Sequence, residues 1–246
     1  MIFDGGAFAR EIEATLRLRL RSGMRVPKIV SVVVGDDPAS VLYTKLKQQA
    51  AERVGIEFEI RHDLENLEMI GKREDVDGMM VQLPLPELLR GSTPKLLTAI
   101  PLAKDVDGLR WEESKIIPAT VRAVLAILDN IAVGKKKFVV LGARGSVGRP
   151  LVHFLRERGE EVSGVEWDTP DPARSLLAGE VVISCVGKAG VVTGEMVKEG
   201  VIAIDVGSPI GDMRQEVYDK ASVAVAVPGG VGPVTIAMLM QNVVDL

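Results

Sequence analysis

The sequence predicts an α/β protein of two domains built on parallel sheets. Three observations carry this. At 246 residues the chain has room for two modest domains of roughly 100–200 residues each. Short apolar, β-branched runs alternate with stretches of helical spacing, and parallel neighbours need the crossover that a helix supplies. The 25 glycines and 13 prolines fall mostly between apolar runs, where they punctuate turns.

The elements follow in order. Phe8, Ile12, Leu16 and Leu20 recur at the spacing of one helix face, and Ser22-Gly23 closes that helix. The apolar run 29–34 reads as a strand, and Gly35-Asp36-Asp37-Pro38 turns the chain into a helix beginning near Ala39. A strand over 56–60 and another at Met79-Met80-Val81 complete a first α/β unit. A helix over 120–131, with Val121, Val124, Leu125 and Leu128 on one side, connects to a second unit. There, a strand at Phe138-Val139-Val140-Leu141 runs into glycine-rich sequence and then a helix through Leu151 and Leu155. Strands near 162–165, 181–185, 201–206 and 223–227 continue the alternation. A closing helix over 235–244 turns Ile236, Met240 and Val243 inward.

Composition narrows the function classes. Hydrophobic residues are 47% and charged residues 26%, which excludes global disorder. A net charge of −4, with Lys135-Lys136-Lys137 as the longest basic block, argues against a nucleic-acid partner. No apolar stretch approaches the ~18–20 residues that span a bilayer, so no membrane partner is expected. The opening residues lack the basic and apolar regions of a signal peptide, and the expected location is cytoplasmic. Cys185 is the single cysteine, and His62 and His153 lie far apart, so no disulfide and no metal site are expected.

Several groups carry chemical potential. Ser40, Tyr43 and Lys47 sit at i, i+3 and i+7 of one helix, within an arc of about 60°. Burial lowers a lysine from its reference pKa of ~10.4 toward neutrality, which suits proton transfer; a solvated surface pair is the plainer reading. Leu42, Leu46, Ala50 and Val54 fall on other faces and are expected to take the core. Gln82 interrupts the apolar run Val81-Gln82-Leu83 just before Pro84 and Pro86, at a strand end that can aim an amide at a ligand. Asp105 and Asp107 share a loop closed by Gly108, where capping a turn, binding a cation and holding a heterocycle all fit. Gly142, Gly145 and Gly148 follow a strand and open a helix, the setting of a dinucleotide fingerprint, though spaced G-x-x-G-x-x-G. Gly187 and Gly207 also end strands. Residues 228–233, with Gly229, Gly230 and Gly232 between two prolines, form a low-side-chain surface before the last helix.

Together these motifs resemble the methylenetetrahydrofolate dehydrogenase/methenyltetrahydrofolate cyclohydrolase family. The resemblance rests on Asp37-Pro38-Ala39-Ser40 with Tyr43 and Lys47, residues 78–86, residues 105–108, and Pro118 with Thr120. Further along it rests on residues 142–150, Asp205-Val206-Gly207, and residues 228–235. It implies an N-terminal α/β folate-site domain, residues 1–119 plus 233–246, and a Rossmann-type doubly wound parallel-sheet domain, residues 120–232, around a cleft. It further implies a homodimer, tetrahydrofolate substrates, and NADP as cofactor, with NAD as the alternative.

By motif position, Lys47 would be the acid/base group and Gln82 its hydrogen-bond partner. Tyr43 would orient the folate, and Asp107 would accept hydrogen bonds from the pterin. Val81, Leu83, Gly229, Gly232, Pro233 and Thr235 would line the folate site. Gly142, Ala143, Arg144, Ser146, Val147, Gly148, Gly187, Gly207 and Ser208 would hold the nucleotide. No metal is implied. Two departures bear on the nucleotide: the arginine of the first loop stands one place later, at Arg144, and Glu166 and Asp168 end the next strand, where an acid ordinarily favours the NAD ribose. The resemblance favours NADP over that single signal.

Overall fold

The computed structural model describes residues 1–23, 25–62, 64 and 66–246. The chain divides into two compact units. The first comprises Ala9–Ala119 and Ile236–Leu246, and the second Met1–Phe8 and Thr120–Thr235.

In the first unit, β1 (Lys28–Val32) lies between β2 (Glu57–Arg61) and β3 (Gly78–Val81), all parallel. The strands alternate faces with a period of two, which decides which helix each residue meets. Ile29 and Met80 face a core with Leu16 and Leu20 of α1 (Gly5–Arg21), Ala50 and Val54 of α2 (Pro38–Val54), and Leu239, Met240 and Val243 of the last helix. Val30, Val32, Met79 and Val81 face the other way, onto Leu67 and Ile70 of α3 (Leu67–Gly71) and onto Leu85 and Ile100. A further short helix, α4 (Thr93–Thr98), follows.

The start of α2 is set locally. The Asp37 carboxylate accepts the Ser40 N–H at 2.8 Å, Pro38 occupies the first turn, and Gly55 at φ +95° ends the helix. The expected core face is only half correct. Ala50 and Val54 are buried, but Leu42 and Leu46 are exposed, while Ser40, Thr44 and Lys47 are buried instead. The helix turns part of its polar face inward, against what hydrophobicity alone dictates.

In the second unit, five parallel strands lie in the order β5-β4-β6-β7-β8. They are β4 (Lys137–Leu141), β5 (Glu161–Val165), β6 (Val181–Ser184), β7 (Ile202–Asp205) and β8 (Val223–Val225). The helices are α5 (Ala119–Asn130), α6 (Gly148–Glu157), α7 (Pro172–Ala178) and α8 (Gln215–Lys220); α9 (Val231–Val244) begins here and ends in the first unit. Val139, Leu141, Leu176, Val182, Ala203 and Val217 form one core layer of the sheet.

The unit boundaries differ from the sequence expectation at both ends. Met1–Phe8 packs with the second unit because the N-terminal backbone pairs with β8: Phe3 N–H donates to Ala224 O at 2.9 Å, and Ala224 N–H to Met1 O at 2.9 Å. At the other end the division falls after Thr235 rather than after Gly232, inside a continuous helix that carries no local signal for a break.

Candidate active site

In the first unit, α2, the end of β3 and the following loop converge on Lys47. Its ammonium donates to Gln82 Oε1 at 2.9 Å and lies 3.9 Å from Met80 Sδ. Gln82 is fixed in turn: its backbone N–H continues the β1 ladder to Val32 O at 2.8 Å, and its Nε2 donates to Leu83 O at 2.7 Å. The amide therefore presents its oxygen, not its nitrogen, to the lysine. Only 9% of Lys47 is exposed, and burial drives its pKa below the ordinary lysine value, with the Asp107 charge opposing that shift. A neutral amide and a thioether solvate an ammonium poorly, so the site favours the free amine far more than water does.

The two aspartates of the loop separate by role. Asp105 is buried and accepts the Gly108 N–H at 3.1 Å and the Arg110 N–H at 2.9 Å, so it shapes the turn, and burial raises its pKa. Asp107 is half-buried, and its charge is felt at Lys47. The loop is pinned from α9: Asn242 Nδ2 donates to Val106 O at 2.9 Å and to Ile117 O at 3.1 Å. Gly108, at φ +70°, has no room for a side chain, since a Cβ would meet Pro118 Cα at 2.8 Å.

Tyr43 is half-buried on α2 one turn before Lys47, as its spacing predicts. Leu83 is half-buried beside Gln82. Val81 is not brought to the lysine: its side chain faces the opposite side of the sheet, in the core with Val30 and Met79. Gly229, Gly232, Pro233 and Thr235 fall in the second unit, after β8 and in the first turns of α9. Gly232 is exposed and a Cβ there would meet nothing within 4 Å, so no contact within the protein explains the glycine.

The second unit carries the glycine loop at the switch point of its sheet. The β4–β5 and β4–β6 pairings put the carboxyl end of β4 between two neighbours, where such sheets bind ligands. Gly142, at φ +80°, lies so near the end of β6 that a Cβ would meet Cys185 O at 2.7 Å. A Cβ on Gly148 would come within 2.1 Å of Gly142 O, so the turn closes only with glycine at both positions. Between them Arg144, Gly145 and Ser146 are exposed, with Ala143 and Val147 half-buried. Val147, at the N-cap of α6, makes no side-chain capping bond. The amino end of a ten-residue helix that its N-cap side chain leaves uncapped, behind a tight glycine turn, fits a dinucleotide pyrophosphate.

Two buried carboxylates organise the neighbouring loops, and the sequence reading singled out neither as a site residue. Asp212 accepts Ser184 Oγ at 2.8 Å and the N–H groups of Val186, Gly187 and Lys188 at 2.8, 3.2 and 2.8 Å. Asp205 accepts Gly207, Asp212 and Met213 N–H at 2.8, 3.0 and 2.8 Å, and the Tyr218 hydroxyl at 2.6 Å. Both carboxylates are fully buried. They fix the loops carrying Gly187 and Gly207, while Ser208 stays exposed. Asp212 stands seven residues from Asp205 in an unremarkable stretch, and only the fold turns it toward β6.

Cys185 is half-buried just past the end of β6, and desolvation raises the pKa of its thiol well above the ordinary range. Among the described residues no group of three or more His, Cys, Asp or Glu is placed to hold a metal. No helix of the described residues is long and apolar enough to cross a membrane.

A parallel sheet with a glycine turn at its switch point, in a chain that also holds a desolvated lysine, is the arrangement of a dinucleotide-binding α/β protein with a group suited to proton transfer. Residues 118–246 match the NAD(P)-binding domain of tetrahydrofolate dehydrogenase/cyclohydrolase, and residues 3–107 match its catalytic domain. The chain belongs to the tetrahydrofolate dehydrogenase/cyclohydrolase family. It is 35% identical over 270 residues to the bifunctional protein FolD of Heliobacterium modesticaldum, covering 98% of this chain and 93% of that protein. The crystal structure of the bifunctional FolD dehydrogenase/cyclohydrolase of Campylobacter jejuni superposes with a TM-score of 0.90 at 33% identity, covering 100% of this chain and 97% of that one. The Trypanosoma brucei enzyme, complexed with NADP cofactor and inhibitor, gives 0.86 at 31% identity, covering 99% and 95%.

Proposed function

We propose that this chain oxidises 5,10-methylenetetrahydrofolate to the 5,10-methenyl form with NADP and hydrolyses that product to 10-formyltetrahydrofolate. Membership of the family supports both steps. The observation that carries the residue assignment is the buried Lys47–Gln82 pair. NADP, when bound, supplies the hydride acceptor for the first step.

Lys47 serves the second. As the free amine, it takes a proton from the water that attacks the cationic methenyl carbon. A proton returns to N5 as the C–N5 bond breaks, and one proton per turnover is left for solvent. The carbon is already electrophilic, so no metal is required. Gln82 holds the amine through a neutral acceptor, supporting proton exchange without fixing the ammonium. Asp107 accepts hydrogen bonds from the pterin, Tyr43 orients it, and Leu83, Gly229, Gly232, Pro233 and Thr235 complete the folate contacts. The glycine turn 142–148, with Gly187, Gly207 and Ser208, holds the nucleotide by backbone approach. The enzyme works as a homodimer in the cytoplasm.

The test follows the pH dependence of methenyltetrahydrofolate hydrolysis, read as loss of its absorbance. Because burial lowers the Lys47 pKa, the free amine forms below the ordinary lysine range. The hydrolysis rate should climb with pH and level off below that range. Gln82→Glu puts a negative charge against the ammonium, raises the lysine pKa and moves the rising limb to higher pH. A limb that stays in place in this variant excludes Lys47 as the titrating group.

A further inference from the structure

We propose that the nucleotide site takes NAD as well as NADP, because Glu166 is built to receive the ribose 2′-hydroxyl while Arg144 exchanges Asp168 for a 2′-phosphate. This rests on the reading of residues 142–148 as the dinucleotide turn, and it assigns the selecting residues.

The geometry centres on the carboxyl end of β5, the strand paired beside the glycine turn. Gly142 N–H and Ala143 N–H donate to Val165 O at 2.8 and 3.3 Å, so the turn and the strand end are tied together. Glu166 is the next residue. Its Oε1 accepts the Arg144 backbone N–H at 2.5 Å and lies 3.4 Å from Arg144 Nε. Both contacts run through Oε1, and Oε2 is the oxygen that a ribose hydroxyl meets. The Glu166 side chain is 20% exposed and held, whereas those of Arg144 and Asp168 are 72% and 78% exposed.

The pair of acids makes opposite demands on the two nucleotides. A neutral 2′-hydroxyl donates to Glu166 in a charge-assisted bond. A 2′-phosphate brings a second anion beside Glu166 and Asp168, and it needs the Arg144 guanidinium, which now sits 3.1 Å from Asp168. That ion pair is open to solvent, so exchanging it for a forked phosphate contact costs little. The phosphate thus meets one cation that attracts it and two acids that repel it. A hydroxyl-bearing ribose finds its partner already in place.

The experiment titrates NAD and NADP separately into the whole protein by calorimetry, with Trp167 fluorescence as a second readout, and measures kcat/KM for both nucleotides on methylenetetrahydrofolate. The unmodified protein should bind the two within about tenfold, the range one charge-assisted hydrogen bond spans. Glu166→Gln should weaken NAD by about five- to tenfold and leave NADP equal or tighter. Arg144→Ala should weaken NADP by at least about tenfold and NAD by less than about threefold. More than about a hundredfold preference for NADP in the unmodified protein, or equal losses of both nucleotides in Glu166→Gln, would overturn the proposal. Binding of NADP alone defeats this inference and leaves the dinucleotide reading standing; binding of neither defeats both.

Discussion

The two units bury charge in opposite ways. Lys47 in the first unit is buried against one neutral amide oxygen and a thioether, with nothing that fully satisfies an ammonium. Asp205 and Asp212 in the second are buried more deeply still, but each carboxylate accepts four hydrogen bonds. A carboxylate so surrounded has its acceptor positions filled from the backbone and acts as a frame. A lysine so poorly surrounded gives up its proton readily, which a frame must not do. On the assignment proposed above, this difference in hydrogen bonding separates the reactive group from the structural ones.

The sharpest way to break this contrast is to remove each group and read both activity and stability. Lys47→Met should cost about 10²–10⁴-fold in hydrolysis, the span of a lost general acid/base, while nucleotide binding stays within twofold of the parent at about 0.4 kcal/mol. It should also leave the fold at least as stable at neutral pH, because it deletes a desolvated charge. The sign follows from linkage: with its folded pKa below the unfolded 10.5, the lysine makes stability rise with pH between the two values. Chemical denaturation of parent and variant from pH 6 to 10 checks this, and the variant's curve should be flatter. A variant that is less stable and equally pH-dependent would make Lys47 a structural residue.

Asp212→Ala should behave in the reverse sense. It strands a hydroxyl and three backbone N–H groups in the interior, and about 3–4 kcal/mol of stability should be lost. The loop at Gly187 is then unpinned, so KM for the nucleotide should rise more than kcat falls. Asp212→Asn keeps two acceptor sites and should cost about half as much. If hydrolysis of methenyltetrahydrofolate fell as far as nucleotide-dependent turnover, the division of labour between the units would fail.

The same contrast explains what was legible in the sequence. The regular strands announced themselves, since Val, Ile and Leu in runs at 138–141 and 181–184 have few structures open to them. The helix of Lys47 was legible from its Asp-Pro start, but its buried face was not. Leu42 and Leu46 outrank Ser40 and Lys47 on any hydrophobic scale, yet the fold exposes the leucines and buries the lysine. A functional site is where local rules are expected to lose. The loop's own sequence does not separate Asp105 from Asp107, because either could accept its N–H groups; only the resemblance singles out Asp107. Asp212 and Asn242 act across 24 to 136 residues of chain, and no local pattern encodes such pairs. The short helices α7 and α8 also escaped, being seven and six residues long with too few turns to show a period.

Asn242 supplies the smallest of the expected effects and tests whether the first unit, too, contains a frame. Its amide nitrogen holds two carbonyls, Val106 O and Ile117 O, on either side of the loop that carries Asp107. Asn242→Ala loses both bonds and leaves the carbonyls to find other donors, at a cost of about 1–2 kcal/mol. Because Asp107 moves with the loop, KM for the folate should rise about three- to tenfold, while the pH at which hydrolysis levels off stays where Lys47 and Gln82 set it. Asn242→Asp distinguishes loss of packing from loss of the donor: it keeps the shape, replaces a donating amide by an acceptor facing two carbonyls, and should be the more damaging of the two. If the aspartate were tolerated better than the alanine, the loop would be held by shape alone, and the reactive lysine of this unit would stand without a hydrogen-bonded frame of its own.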